Sequence, residues 1–192
     1  DAGAYGLICP LVNTAEQAEA LVASASYPPR GGRSFGPFRA KYYAGDGYLE
    51  HANDTVLTMA MIETSEGFQN LDAILAVEHG VEVIYVSNHG GRQLDFGLGG
   101  LKVLPEIVDA IGKKATVFFD GGIMRGTDVV KALSLGADIV GIGRLQGLAA
   151  AAGGSKAIYR MLELLELEII TCLRLLGVND IVELNSTFLT KD

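Results

Sequence analysis

Five places in the sequence put a polar residue directly behind a short apolar run: Asn13, Glu63, Asn88-His89, Asp120-Gly121-Gly122 and Gly143-Arg144. The third lies in IYVSNHGGRQLD over 84–95, where an imidazole is flanked by Asn88 and two glycines and Arg92 follows three positions on. Gly90 and Gly91 allow a sharp turn that leaves the ring uncrowded. The Arg92 guanidinium can offer a two-pronged fork to a carboxylate. A base beside an anion clamp suits proton abstraction from a carboxylate-bearing substrate. A plainly structural reading stands beside this one, in which His89 caps a turn and Arg92 pairs with Asp95.

The fourth and fifth places have a different chemistry. Asp120-Gly121-Gly122-Ile-Met-Arg125-Gly126-Thr127-Asp128 passes through glycines into a helical pattern, offering backbone N–H groups and a helix N-terminus to an anion. Gly141-Ile-Gly143-Arg144 repeats the device one unit later with an arginine in place. Two adjacent glycine-rich strand ends of this kind form the phosphate site that many βα-barrels carry after their last strands.

Five strands are expected to carry these residues: 6–12 (GLICPLV), 55–62 (TVLTMAMI), 81–86 (VEVIYV), 115–120 (ATVFFD) and 137–143 (ADIVGIG). Between them the spacing predicts helices over 15–25 behind a Thr14 capping box, 68–78 behind Ser65-Glu-Gly, 98–111 and 127–135, with Gly136 as the stop. An amphipathic closing helix over 155–176 would bury Ile158, Met161, Leu162, Leu165, Ile169 and Leu173, and end at Gly177. Residues 26–54, rich in Pro, Gly, Arg and Tyr, interrupt the rhythm and read as one long loop. Strand-then-helix repetition with doubly apolar strands means α/β architecture: one parallel (β/α) barrel-type domain over 1–192. Only five strands are visible where a closed barrel needs eight, so either a second copy completes the barrel, or the sheet is open, or the fold differs from a barrel; a homo-oligomer is expected.

Composition narrows the partners. Among 192 residues, acids outnumber bases 23 to 15, a balance unsuited to a nucleic-acid surface and in keeping with a small-molecule ligand. No apolar run reaches the roughly twenty residues of a membrane span. Cys9 and Cys172, in apolar surroundings without metal-type spacing, read as buried reduced thiols, which predicts a cytoplasmic protein.

YVSNHGGRQLD, LPEIVDAIG, VFFDGGIMRGTDVVKALSLGAD, VGIGR and LELLELEIITCLRLLGV, spread over 84–192, resemble the C-terminal half of the FMN-dependent 2-hydroxy acid oxidase and dehydrogenase family. The resemblance implies an oxidoreductase of small (S)-2-hydroxy acids. In it His89 is the catalytic base and Arg92 the substrate-carboxylate clamp, while Asp120, Gly121, Gly122, Gly143 and Arg144 hold the FMN phosphate. Met124 stands where that family usually has an arginine, leaving Arg125 as the nearer substitute. The family's N-terminal half also brings substrate tyrosines, a lysine at the flavin and an aspartate that orients the base, none of which can be placed in this sequence.

Residues 1–83 resemble a second family. GAYGLICPLVNTAEQAEALV, YPPRGGRSFGP and MAMIETSEGFQNLDAILAVEHGV are similar to the metal-dependent aldolases of 2-oxo acids, which implies Mg or Mn on Glu63 and a seam near 80–86. Three functions therefore stand side by side: a flavin oxidoreductase of weak turnover, a 2-oxo-acid lyase through Glu63, and a chimeric scaffold that binds phosphate-bearing ligands without chemistry.

Overall fold

The computed structural model describes residues 2–36, 39–77, 80–93 and 96–190. All five expected strands are present, each shorter than its apolar run: β1 Gly6–Cys9, β2 Leu57–Met61, β3 Val83–Val86, β4 Thr116–Phe119 and β5 Ile139–Val140. They lie in the order β1-β2-β3-β4-β5, and the pairs β1/β2, β2/β3 and β4/β5 are parallel. The chain divides into two compact units, Asp1–Tyr85 with Ala110–Thr116, and Val86–Asp109 with Val117–Asp192.

In the first unit, β1 runs beside β2 with Gly6 opposite Leu57 and Cys9 opposite Ala60. Helix α1 (Ala15–Ala25) starts where Thr14 Oγ1 accepts the Gln17 amide at 3.3 Å; the return arm reaches one residue further back, Gln17 Oε1 accepting from Asn13 N at 2.7 Å. Ala18 and Val22 face inward on α1, beneath a core that includes the fully buried Ile74 and Ile84. The helix expected over 68–78 starts earlier, at a Thr64 cap, and is split into α4 (Ser65–Gln69) and α5 (Leu71–Leu75) at Asn70, whose side chain donates to the Asn13 carbonyl at 2.9 Å.

Residues 26–54 are not a bare loop. They hold α2 (Ala40–Ala44) and α3 (Tyr48–Thr55), and a small core of Tyr27, Ala40, Tyr48 and Ala52. The Arg33 guanidinium lies 4.4 Å from the centre of the Tyr27 ring, and Tyr48 meets that ring edge-on at 6.4 Å. Asn53 brackets the Tyr27 backbone, accepting from its N–H at 2.7 Å and donating to its carbonyl at 3.0 Å. Arg33, Tyr27 and Tyr48, residues of the types that make the segment look loop-like, are among those that pack it.

The second unit holds α6 (Gly100–Ile111), α7 (Gly126–Ser134) and α8 (Arg144–Leu176), with Leu104, Phe119 and Val130 buried. The helical stretch 144–176 is broken at Gly153 and Gly154, which leave helical geometry, so the closing helix does begin near 155; it ends at Gly177 with φ +73°. Met161 and Leu165 are its buried contacts, whereas Leu162, expected inside, is half exposed. Gly126 lets α7 press on this helix, since a Cβ there would stand 2.7 Å from the Ile169 nitrogen. Cys9 and Cys172 are both free and half-buried rather than buried. Among the described residues no helix is long and apolar enough to cross a membrane.

Candidate functional site

Past β3 the chain enters a left-handed turn, with φ +53° at His89, +64° at Gly90 and +75° at Gly91. For His89 that conformation costs about 1 kcal/mol, because its Cβ crowds the carbonyl. Local bonds hold it: Ser87 Oγ accepts the His89 N–H at 3.1 Å, and the Gly91 N–H donates to the Asn88 carbonyl at 3.0 Å. Asn88 in turn donates through Nδ2 to the Leu98 carbonyl at 3.2 Å.

The strand ends β4 and β5 arrive alongside. The Asp120 amide donates to the Val86 carbonyl at 3.1 Å, and the Gly141 amide to the Phe119 carbonyl at 2.8 Å, so the three ends stay in step. Gly122, at φ +79°, faces open space in which a side chain would find no neighbour within 4 Å, and the same is true of Gly143. Arg144, the first residue of α8, donates through Nη2 to the Gly90 carbonyl.

One cavity of about 640 Å³ results, lined by His89, Arg92, Asp120, Gly121, Gly122, Gly143 and Arg144. The sequence leads one to expect every one of these to act together. Met124 and Leu148 add apolar wall; Leu148 carries no signal in the sequence, where the closing helix is expected to begin only at 155. Asp95, the alternative partner of Arg92, lies outside the described residues.

Arg125 is not brought to this cavity. Its Nε and Nη2 both donate to Glu168 Oε1, at 3.0 and 2.7 Å, and Glu168 Oε2 accepts the Gly126 amide at 2.7 Å. Asp128 Oδ2 accepts the amides of Met124 and Arg125 at 3.1 and 3.0 Å. The N-terminus of α7, expected to receive an anion, is thus closed by the chain's own carboxylates. The signal for this is legible in part, Asp128 standing three residues after Arg125 where a capping carboxylate belongs. Glu168, distant in sequence, gives none.

Glu63 stands in the other unit, where its Oε2 accepts the Leu11 amide at 3.1 Å. Asn13, also read as a strand-end polar group, accepts the Thr64 hydroxyl at 2.5 Å and so ties the ends of β1 and β2 together. Among the described residues no group of three or more His, Cys, Asp or Glu side chains gathers as a metal site would require.

The cavity's contents suit a phosphate-bearing cofactor. Its glycine floor is one that a Cβ would fill, Arg92, Arg144 and His89 line it together with Asp120, and its volume is that of a small-molecule site. The sequence pattern of the FMN-dependent dehydrogenases matches residues 68–191. The chain belongs to the FMN-dependent dehydrogenase family. The match begins at 68, so residues 68–83, expected to be aldolase-like, fall inside it.

Among its relatives, an L-lactate oxidase of Nostoc sp. is 48% identical over 120 residues, which is 62% of this chain and 32% of that protein. The 2-hydroxyacid oxidase 1 of Mus musculus is 45% identical over 121 residues, 63% of this chain and 33% of that one. The chain therefore spans about a third of the length of these curated relatives. Among solved structures, mandelate oxidase with benzoyl-formic acid superposes with a TM-score of 0.59 at 37% identity, covering 73% of this chain and 41% of that one. An oxidized active mutant of (S)-mandelate dehydrogenase gives 0.62 at 31% identity, covering 80% and 42%. The five parallel strands and their helices correspond to part of the barrel of these flavin enzymes.

Proposed function

We propose that this chain is an FMN-dependent oxidoreductase of small (S)-2-hydroxy acids, and that its site is the cavity at the ends of β3, β4 and β5. The observation that carries the reading is the convergence of His89 and Arg92 with the Gly121-Gly122 and Gly143-Arg144 turns on one cavity. Bound FMN supplies a two-electron acceptor. Arg92 takes the substrate carboxylate through its fork, leaving the hydroxyl-bearing carbon facing His89. His89 takes up the proton released on oxidation. Arg144 and the backbone of Gly121, Gly122 and Gly143 hold the phosphate, with Asp120 setting the start of that turn.

Turnover by the 192-residue chain is expected to be slow. The family's flavin lysine, substrate tyrosines and base-orienting aspartate cannot be placed in this sequence, and a base without its orienting partner loses orders of magnitude in rate. Residues 1–192 are proposed to form one partial (β/α)-barrel domain that associates as a homo-oligomer, with β1 or α8 at the contact, in the cytoplasm, where two free thiols persist. For residues 1–67, outside the family match, an aldolase-like origin is proposed on YPPRGGRSFGP and MAMIET.

The test is anaerobic mixing of FMN-loaded chain with excess glycolate or lactate. The flavin absorbance should bleach in the parent chain and persist in His89→Ala with FMN still bound. Persistent colour in the parent chain, with FMN demonstrably bound, would refute the oxidoreductase reading.

A further inference from the structure

We infer that Arg144 is also the positioning residue of the His89 turn, holding it through the Gly90 carbonyl. The role of His89 as a base rests on the functional reading above; the contact does not. A left-handed conformation at a residue with a side chain persists only where its surroundings over-determine it. The two backbone-directed bonds at Ser87 and Asn88 are local, arising within the turn itself. The hold from outside the turn on the Gly90 carbonyl comes from Arg144, 54 residues on.

The fit goes beyond one hydrogen bond. A Cβ on Gly90 would run into the Arg144 guanidinium, meeting Nη2 first with Cζ and Nε behind it at 3.2 and 3.4 Å, so the end of that group abuts the glycine. Glycine at 90 is therefore required twice, by its φ of +64° and by this seat. A guanidinium has five N–H donors in a rigid fork, and Gly90 uses Nη2. The same group can keep the carbonyl and present other donors to an anion lying over Gly143. Arg144 thus joins the phosphate turn to the turn that carries the base, and fixes the imidazole of His89 relative to the anion site.

Amide hydrogen exchange on the ¹⁵N-labelled 192-residue chain tests this. The Gly91 amide, bonded to the Asn88 carbonyl, reports the turn, and the Gly141 amide, bonded to the Phe119 carbonyl, reports the neighbouring strand. In Arg144→Gln, Gly91 should exchange at least about tenfold faster while Gly141 keeps its rate, and the His89 ring nitrogens should shift. Arg144→Lys guards against a general loss of fold in the glutamine variant. It should recover inorganic phosphate binding but not Gly91 protection, because a single ammonium nitrogen cannot hold the Gly90 carbonyl and an anion through separate, rigidly spaced nitrogens. Parent-like Gly91 exchange and unmoved His89 resonances in both variants would overturn the inference and leave Arg144 an anion ligand alone. Failure of the parent chain to bind phosphate would instead count against the cofactor reading, with the exchange result standing on its own.

Discussion

Glu168 grips the start of α7 with both oxygens, one on the Arg125 guanidinium and the other on the Gly126 amide. The pairing commits to α8 the arginine expected to stand in for the family's missing one at position 124. It leaves Arg144 as the arginine at the β5 turn of the cavity, and makes Glu168 a structural carboxylate. The Arg125 side chain, then the Gly126 amide, hold the Glu168 carboxyl below the usual carboxylate range, and the same partnership raises Arg125.

The sign of the resulting pH effect follows. A carboxyl whose folded pKa lies below its unfolded one adds stability that is full above the ordinary value of 4.5 and fades as pH falls through the lowered one. Glu168→Gln should therefore flatten the decline of the urea midpoint as pH falls below 4.5, with the wild type the steeper of the two. Parallel slopes would show that the contact contributes nothing measurable, as many exposed pairs do.

Asn53 should matter far more than its place in an irregular segment suggests. Its side chain satisfies both the N–H and the carbonyl of the buried Tyr27. Asn53→Ala leaves that backbone unpaired and is expected to cost about 1–3 kcal/mol by urea unfolding. A loss below about 0.5 kcal/mol would mean that water reaches Tyr27.

Exposed apolar side chains on β1 and α8, among them Leu7, Ile8 and Leu167, support the homo-oligomer. An unpaired strand edge beside such residues favours pairing with another chain. Light scattering should show a dimer or larger at micromolar concentration, and Leu7→Lys should weaken association by about tenfold or more. A stable parent monomer would refute the proposal.

How much of this is legible in the sequence depends on the kind of signal. Strands announce themselves by unbroken apolar runs, and strand-end polar residues stand out against them, so His89, Arg92, Asp120 and Arg144 can be picked out without sight of their cavity. The 26–54 segment reads as a loop because its packing uses Tyr27, Arg33, Tyr48 and Asn53, polar or amphipathic residues without helical period. The fate of Arg125 is hidden for another reason: it is decided by Glu168, which lies 43 positions away. Local spacing reveals caps such as Asp128 and is blind to partners set by the packing of one helix on another.

Placing a flavin phosphate against Gly122, Gly143 and Arg144 is the claim on which the rest depends, and comparison of FMN with riboflavin, which lacks the phosphate, tests it most directly. By fluorescence titration of the chain, FMN should bind at one per chain and at least about a hundredfold more tightly than riboflavin, a charge-assisted contribution of about 2.7 kcal/mol. Arg144→Ala and Gly143→Val, the second filling open space without a positive φ to strain it, should bring FMN down towards the riboflavin value without loss of helical content. Equal affinities for the two flavins, or FMN binding untouched by both substitutions, would contradict the account.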